Sequence, residues 1–205
     1  MNSQSIAMDP VAPIAPAAVR QEGNPPGDFA IWIFIFAELL AFGVLFLAYA
    51  FTRAKNVELF NESQLTLSRE SGAINTLVLI TSSYFVVRGV AAIKQGLSRQ
   101  CANWLTAGVA LGGVFVAIKL WEFNEKFNAG ITLDTNTFYM FYLSLTFFHF
   151  MHVLMGMVIL GFVIAKARRG GYSAQDHAGV ETGASFWHMV DLLWIILFPL
   201  VYVIR

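Results

Sequence analysis

Phe186-Trp187-His188-Met189-Val190-Asp191-Leu192-Leu193-Trp194 sets a histidine and an aspartate three residues apart inside a membrane-length apolar segment, 183–205. If the segment is helical, Trp187, His188, Asp191, Trp194, Ile195 and Phe198 fall on one stripe. Polar groups gathered on one stripe of such a segment must face protein or water rather than lipid. The rest of the chain has to supply what they face.

Composition fixes the class. Of 205 residues, 57% are hydrophobic and only 13% charged, against about a quarter charged in ordinary soluble domains. The 13 basic and 13 acidic residues cancel, which gives no argument for nucleic acid as a partner. Cys101 is the only cysteine, so an internal disulfide, a Cys-x-x-Cys redox pair and a thiolate-rich metal site are excluded.

Working outward, residues 1–28 hold five of the prolines among Ala, Gln, Asn and Ser and are expected to be a disordered tail. They lack the basic and apolar regions of a signal peptide. Five apolar stretches follow at about 29–51, 72–93, 102–123, 137–165 and 183–204, each near the roughly 20 residues needed to cross a bilayer. Only helices satisfy their own backbone in lipid, so the expected fold is an all-α bundle of five transmembrane helices. An odd number of spans places the termini on opposite sides. The cluster Lys166-Ala167-Arg168-Arg169 then lies on the side of the N-terminus, which the positive-inside rule makes cytoplasmic. Ala110, Gly113 and Ala117 share a face, as do Gly108 and Gly112, and small residues so spaced let helix backbones approach closely.

The polar groups inside the spans are the candidate site. Glu38 lies roughly 14 Å from its cytoplasmic end and Asp191 roughly 12 Å. Their matched depth allows a cross-helix polar cluster, with His188 joining it or bonding in the interfacial zone. A carboxylate this deep must be protonated, paired or hydrated, so Glu38 is expected either to handle protons or to hydrogen-bond a neighbouring helix. His149 and His152 are three apart on the fourth span and are expected to bond to backbone or side chains. Bis-histidine haem ligation would need His188 to meet one of them, yet the depths are roughly 8 Å for His188, 20 Å for His152 and 24 Å for His149. Two histidines with no thiolate make a poor metal site, and neither haem nor metal is expected in this chain. Lys119 and Glu122, in the last turn or so of the third span, are expected to form a structural ion pair or to let the lysine snorkel. Glu38, Asp191 and the buried histidines could alternatively serve a stand-alone proton-coupled carrier. No phosphate loop, nucleophile elbow or cofactor motif is present, so no catalytic site is expected.

Taken in order, these residues resemble a known family. Phe148-His149-Phe150-Met151-His152-Val153-Leu154-Met155-Gly156 resembles the Phe-His-x-x-His-Val-x-x-Gly segment of cytochrome c oxidase subunit III. His177, Glu181 and Trp187-His188-Met189-Val190-Asp191-Leu192-Leu193-Trp194 resemble that family's closing His…Glu…Trp-His-Phe-Val-Asp-x-x-Trp. Ile35-Phe36-Ala37-Glu38 is similar to its Ile-x-Ser-Glu run, with Ala37 in place of Ser, and Asn75-Thr76 and Glu122 have counterparts too. Mitochondrial-type members carry seven helices, and this chain lacks the first two, as many bacterial forms do. Arg53…Leu59-Phe60, Ala73-Ile74-Asn75-Thr76-Leu77, Thr81-Ser82-Ser83-Tyr84-Phe85-Val86-Val87 and Lys119-x-x-Glu122-Phe123 look closest to the NorE-like branch, which accompanies nitric oxide reductases or related haem-copper oxidases.

The resemblance implies a multi-pass subunit of the bacterial inner membrane, N-terminus cytoplasmic and C-terminus periplasmic. It implies docking beside a haem-bearing subunit I that does the redox chemistry, of a cytochrome c or quinol oxidase or a nitric oxide reductase. Haem, with copper or non-haem iron, belongs to that partner. The implied role is to stabilise the partner and assist proton uptake, with bound phospholipid.

Overall fold

The computed structural model describes residues 27–204. The tail expected at 1–28 lies outside them except for its last two residues. Six helices follow one another: α1 (Phe29–Lys55), α2 (Val57–Leu65), α3 (Arg69–Lys94), α4 (Ser98–Asn128), α5 (Thr137–Arg168) and α6 (Ala178–Phe198), the last running into a π-helical turn at Pro199–Val203. All but α2 are long and apolar enough to cross a membrane, which makes five spans, Phe29–Lys55, Arg69–Lys94, Ser98–Asn128, Thr137–Arg168 and Ala178–Val203.

Local chemistry sets where these helices begin and end. Asp28 caps α1 by accepting from the Ala30 amide, Ser68 caps α3 from Ser71, and Asn136 caps α5 from Tyr139. At the other ends, α3, α4 and α5 close on Gly96, Gly130 and Gly170, all with positive φ, the left-handed conformation that reverses a chain past a helix terminus. Each helix runs beyond the apolar stretch that announces it. Ser98, Arg99 and Gln100 begin α4, and Asn124, Glu125 and Lys126 continue it, because backbone bonding carries on where hydropathy falls.

α6 is the centre of the bundle and packs against α1, α3 and α5. Its Trp187 ring lies between α4 and α5 because both helices present glycine there. A Cβ on Gly112 would sit 2.7 Å from that ring, and one on Gly156 would sit 2.8 Å from it. Gly108 packs on Ser82 and Val86 of α3, so Gly108 and Gly112 serve contacts inside the bundle, whereas Ala110 and Ala117 of the other small-residue face are exposed. α1 is attached differently. Its fully buried residues are Ile35, Phe42 and Tyr49, a single line at seven-residue spacing, while most of its circumference is exposed.

α2 has no counterpart among the expected elements. Too short to span and carrying two glutamates, it tucks Phe60 and Gln64 against the bundle at the end opposite the N-terminus. Gln64 Nε2 donates to the Val201 carbonyl at 2.9 Å, Lys126 Nζ donates to the Thr66 carbonyl at 2.8 Å, and the Tyr139 and Thr66 hydroxyls meet at 2.7 Å.

Candidate functional site: polar braces inside the spans

The ionisable groups within the spans fall into separate clusters, each joining helices. The first links α1 to α5. His152 Nδ1 lies 2.8 Å from the Phe148 carbonyl, which can only accept, so that nitrogen carries a proton. Nε2 is left facing the Glu38 carboxyl at 3.0 Å. One proton can therefore sit on either side of the Glu38–His152 contact, as carboxylic acid against imidazole or as carboxylate against imidazolium. Phe42 and Phe148 hold the ring edge-on and keep it aimed at α1.

The second cluster joins α3 and α6. Ser83 Oγ lies 2.6 Å from His188 Nδ1, and Asp191 Oδ2 lies 4.0 Å from the same nitrogen. Asp191 is buried, and among the described residues neither of its oxygens has a partner within hydrogen-bond geometry. The two tryptophans of the stripe are tied down here. Trp187 Nε1 donates to Ser82 Oγ at 3.1 Å, and Ser82 Oγ in turn donates to the Gly108 carbonyl at 2.8 Å. Trp194 Nε1 donates to Thr76 Oγ1 at 3.0 Å.

Lys119 and Glu122 form the third. Lys119 is wholly buried, and its ammonium donates to Glu122 Oε2 at 2.9 Å and to Tyr202 Oη at 2.6 Å. Tyr142 and Tyr202 both donate to the other glutamate oxygen, at 2.5 and 2.6 Å. Aromatic faces enclose the cation, nearest among them Trp194 at 4.9 Å and Tyr202 at 5.1 Å. The pair thus ties α4 to α5 and to the π-turn after α6. It does not snorkel, because α4 continues to Asn128 and leaves Lys119 more than two turns from the helix end.

Several expectations about these residues are revised by the geometry. No hydrogen bond or ion pair joins Glu38 to Asp191; the glutamate is bound to His152 instead. The two histidines of α5 also differ. His152 bonds on both sides, whereas His149 is fully buried against Phe115 and Trp194 and, among the described residues, neither of its ring nitrogens is hydrogen-bonded. Among the described residues no hydrogen-bonded chain runs from Glu38 to Asp191, as a carrier relay would need, and no three His, Cys, Asp or Glu side chains stand close enough together to hold a metal ion.

A fourth cluster carries no weight in the sequence beyond its resemblance. Glu181, near the start of α6, accepts from the Gly27 amide at 3.2 Å, pairs with Lys94 at 2.9 Å and faces His177 at 3.5 Å. Beside it the Asp28 amide donates to Thr182 at 3.1 Å. One carboxylate therefore gathers the beginnings of α1 and α6 and the end of α3. The signal for Tyr142 and Tyr202 was the buried Glu122 itself, since a carboxylate in a span needs donors on neighbouring helices.

Five spans braced across helices by carboxylates, histidines and tyrosines define a polytopic membrane protein whose polar interior binds its own helices together. The family model of cytochrome c oxidase subunit III matches residues 27–204, and the chain belongs to that family. It is 36% identical over 173 residues to cytochrome c oxidase subunit 3 of Thermostichus vulcanus, covering 84% of each chain. It is 25% identical over 174 residues to cytochrome bo(3) ubiquinol oxidase subunit 3 of Buchnera aphidicola, covering 85% of this chain and 84% of that one. A match of 26% over 181 residues links 85% of it to 22% of the heme-copper oxidase subunit I+III of Aeropyrum pernix.

Proposed function

We propose that this chain is a non-catalytic subunit III that docks against the haem-bearing catalytic subunit of a respiratory haem-copper oxidase or nitric oxide reductase and stabilises it. The observation that carries the reading is the relative whose name joins subunits I and III in one polypeptide, with this chain matching 22% of it. The geometry supports it, since the polar groups inside the spans mainly brace helix to helix. Haem, and copper or non-haem iron, would reside in the partner. The NorE-like motifs keep a nitric oxide reductase beside a haem-copper oxidase as the complex it joins, and the chain would lie in the bacterial inner membrane.

The tagged full-length chain, solubilised in mild detergent, is expected to bring down a large subunit with a Soret band. Recovery of the chain alone, under conditions that keep a known oxidase intact, would count against the proposal. Oxygen and nitric oxide consumption by the recovered complex then separates the two branches.

Proton uptake is the finer part of the reading, and the Glu38–His152 contact supports it because one proton can shift between the two without either side chain moving far. Glu38→Gln keeps a hydrogen-bonding group at that position and removes the titration. The assembled complex should retain its haem content and lose turnover more steeply at high pH. An unchanged pH profile with full assembly leaves Glu38 as a brace only.

A further inference from the structure

Glu38 and Glu122 are each met by a side chain of another helix, and Asp191 is not. It is 4% exposed, and among the described residues neither of its oxygens has a partner within hydrogen-bond geometry. Its Oδ2 lies 4.0 Å from His188 Nδ1, a nitrogen already engaged with Ser83 Oγ at 2.6 Å. That gap is too wide for a direct hydrogen bond and is one that a single water can bridge. Polar atoms buried this deeply are paired in folded proteins, with bound water as the partner where no protein group serves.

An entry path lies beside it. α3 and α6 enclose a groove of about 340 Å³, walled by Val90, Ala91, Ala184 and Ser185, with His188 at its inner end. The small side chains of Ala91, Ala184 and Ser185 leave the space between the two helices open. The groove begins at the Lys94–Glu181 pair, where α3 ends and α6 starts. From Glu181 to His188 is roughly 10 Å along the helix. The His188 side chain is 36% exposed, and among the described residues its ring is hydrogen-bonded only through Nδ1. Nε2 therefore faces the groove while Nδ1 faces Ser83 and Asp191, and the imidazole stands between the two.

Past Asp191 the seam is shut. Less than a turn further along α6, the Trp194 indole donates to Thr76 of α3 at 3.0 Å. Beyond it the Phe198 ring fills the space over Gly72, where a Cβ would stand 2.6 Å from it. Toward α4, Trp187 is fastened to Ser82 and covers Gly112. Water at the aspartate has a way in from the side where α1 begins and none to the opposite side.

We propose that the α3–α6 groove is a one-sided aqueous inlet, ending in one water held between the Asp191 carboxyl and the Ser83–His188 pair. Hydration at that point lets the carboxyl sit inside a span without a partner on another helix. An acyl chain lying in the groove would offer neither Asp191 nor His188 Nε2 anything to bond. The inlet is built from this chain's residues alone, so it stands independently of which complex the subunit joins.

Thiol labelling of the full-length chain in sealed vesicles tests the inlet. A charged, membrane-impermeant methanethiosulfonate reacts with a thiolate in contact with water. Ser185→Cys should be labelled roughly tenfold faster than Phe162→Cys on the lipid-facing side of α5, and only from the side where α1 begins. Native Cys101, wholly buried, should stay unlabelled in both. Equal rates in the two variants, or labelling from the opposite side, would overturn the inlet. A density map of the purified chain that resolves waters tests its inner end. A water is expected within about 3 Å of both the Asp191 carboxyl and the Ser83–His188 pair. Asp191→Leu should remove that water and leave the labelling of Ser185→Cys intact. Asp191→Asn, which keeps two hydrogen-bonding atoms, should retain it even if the leucine variant fails to fold. Asp191 bonded directly to Ser83 with nothing between them, an acyl chain filling the groove, or loss of the water in Asp191→Asn would each overturn the assignment.

Discussion

Lys119 and Glu122 show what a charge inside a span requires. The ammonium has a carboxylate, a phenol oxygen and aromatic faces around it, and the carboxylate has the ammonium and two tyrosine hydroxyls. Each charge is tolerable only while the other is present. Lys119→Met should therefore destabilise the chain by about 3–5 kcal/mol, because Glu122 is left charged and buried. Removing both charges, as Lys119→Met with Glu122→Leu, should recover part of that loss, leaving the cost of two hydroxyls without their acceptor. Unfolding in detergent measures both. A double variant no better than the single one would mean that the pair itself, rather than the orphaned carboxylate, carries the stability. At this scale the i,i+3 spacing made the pair legible, but its tyrosine donors lie 20 and 80 residues away in sequence, where no local pattern reaches.

The helices as elements were legible because length and hydropathy decide which segments cross a bilayer. Their ends and their pairings were not. Depth counted from helix ends assumes that all ends lie in one plane. In the structure the Gly27 and Asp28 amides meet Glu181 and Thr182, an offset of 154 residues that brings Glu38 level with about Leu192, so the counted match in height with Asp191 holds. Counting residues also gives height but not direction around the axis, and direction is what gives Glu38 His152 as its partner and leaves Asp191 beside His188. α2 escaped notice for another reason: its order comes from Phe60 and Gln64 packing on the bundle and not from any periodic pattern of its own. α1, with its single buried line, depends on polar clamps at three heights. Glu181 holds its start, His152 its middle, and Arg53, which donates to the Ile204 carbonyl and to Asn61, its end. Glu181→Ala with Arg53→Ala removes the outer two, each worth about 1 kcal/mol. Hydrogen exchange should then quicken about tenfold at both ends of α1 and leave α4 and α5 unchanged; uniform acceleration would show that α1 is not a separable element.

For the whole molecule, five spans put the first and last described residues on opposite sides of the membrane. Lys94, Arg99, Lys166, Arg168 and Arg169 lie on the side where α1 begins, so that side is expected to be the cytoplasm. A periplasm-active reporter fused after Arg205 should give signal and one fused before Met1 should not; the reverse pattern would invert the topology. The central place of α6 has a consequence for the order of events during synthesis. Ala178 follows Phe29 by 149 residues, so α1 is made on the order of ten seconds before α6 at bacterial elongation rates. Until then the seat formed by Gly112 and Gly156 has no indole in it, and neither Ser82 nor Thr76 has its tryptophan donor. The earlier helices can already pair, α3 with α4 and α4 with α5, but the seat at the middle stays open until the last-made helix enters.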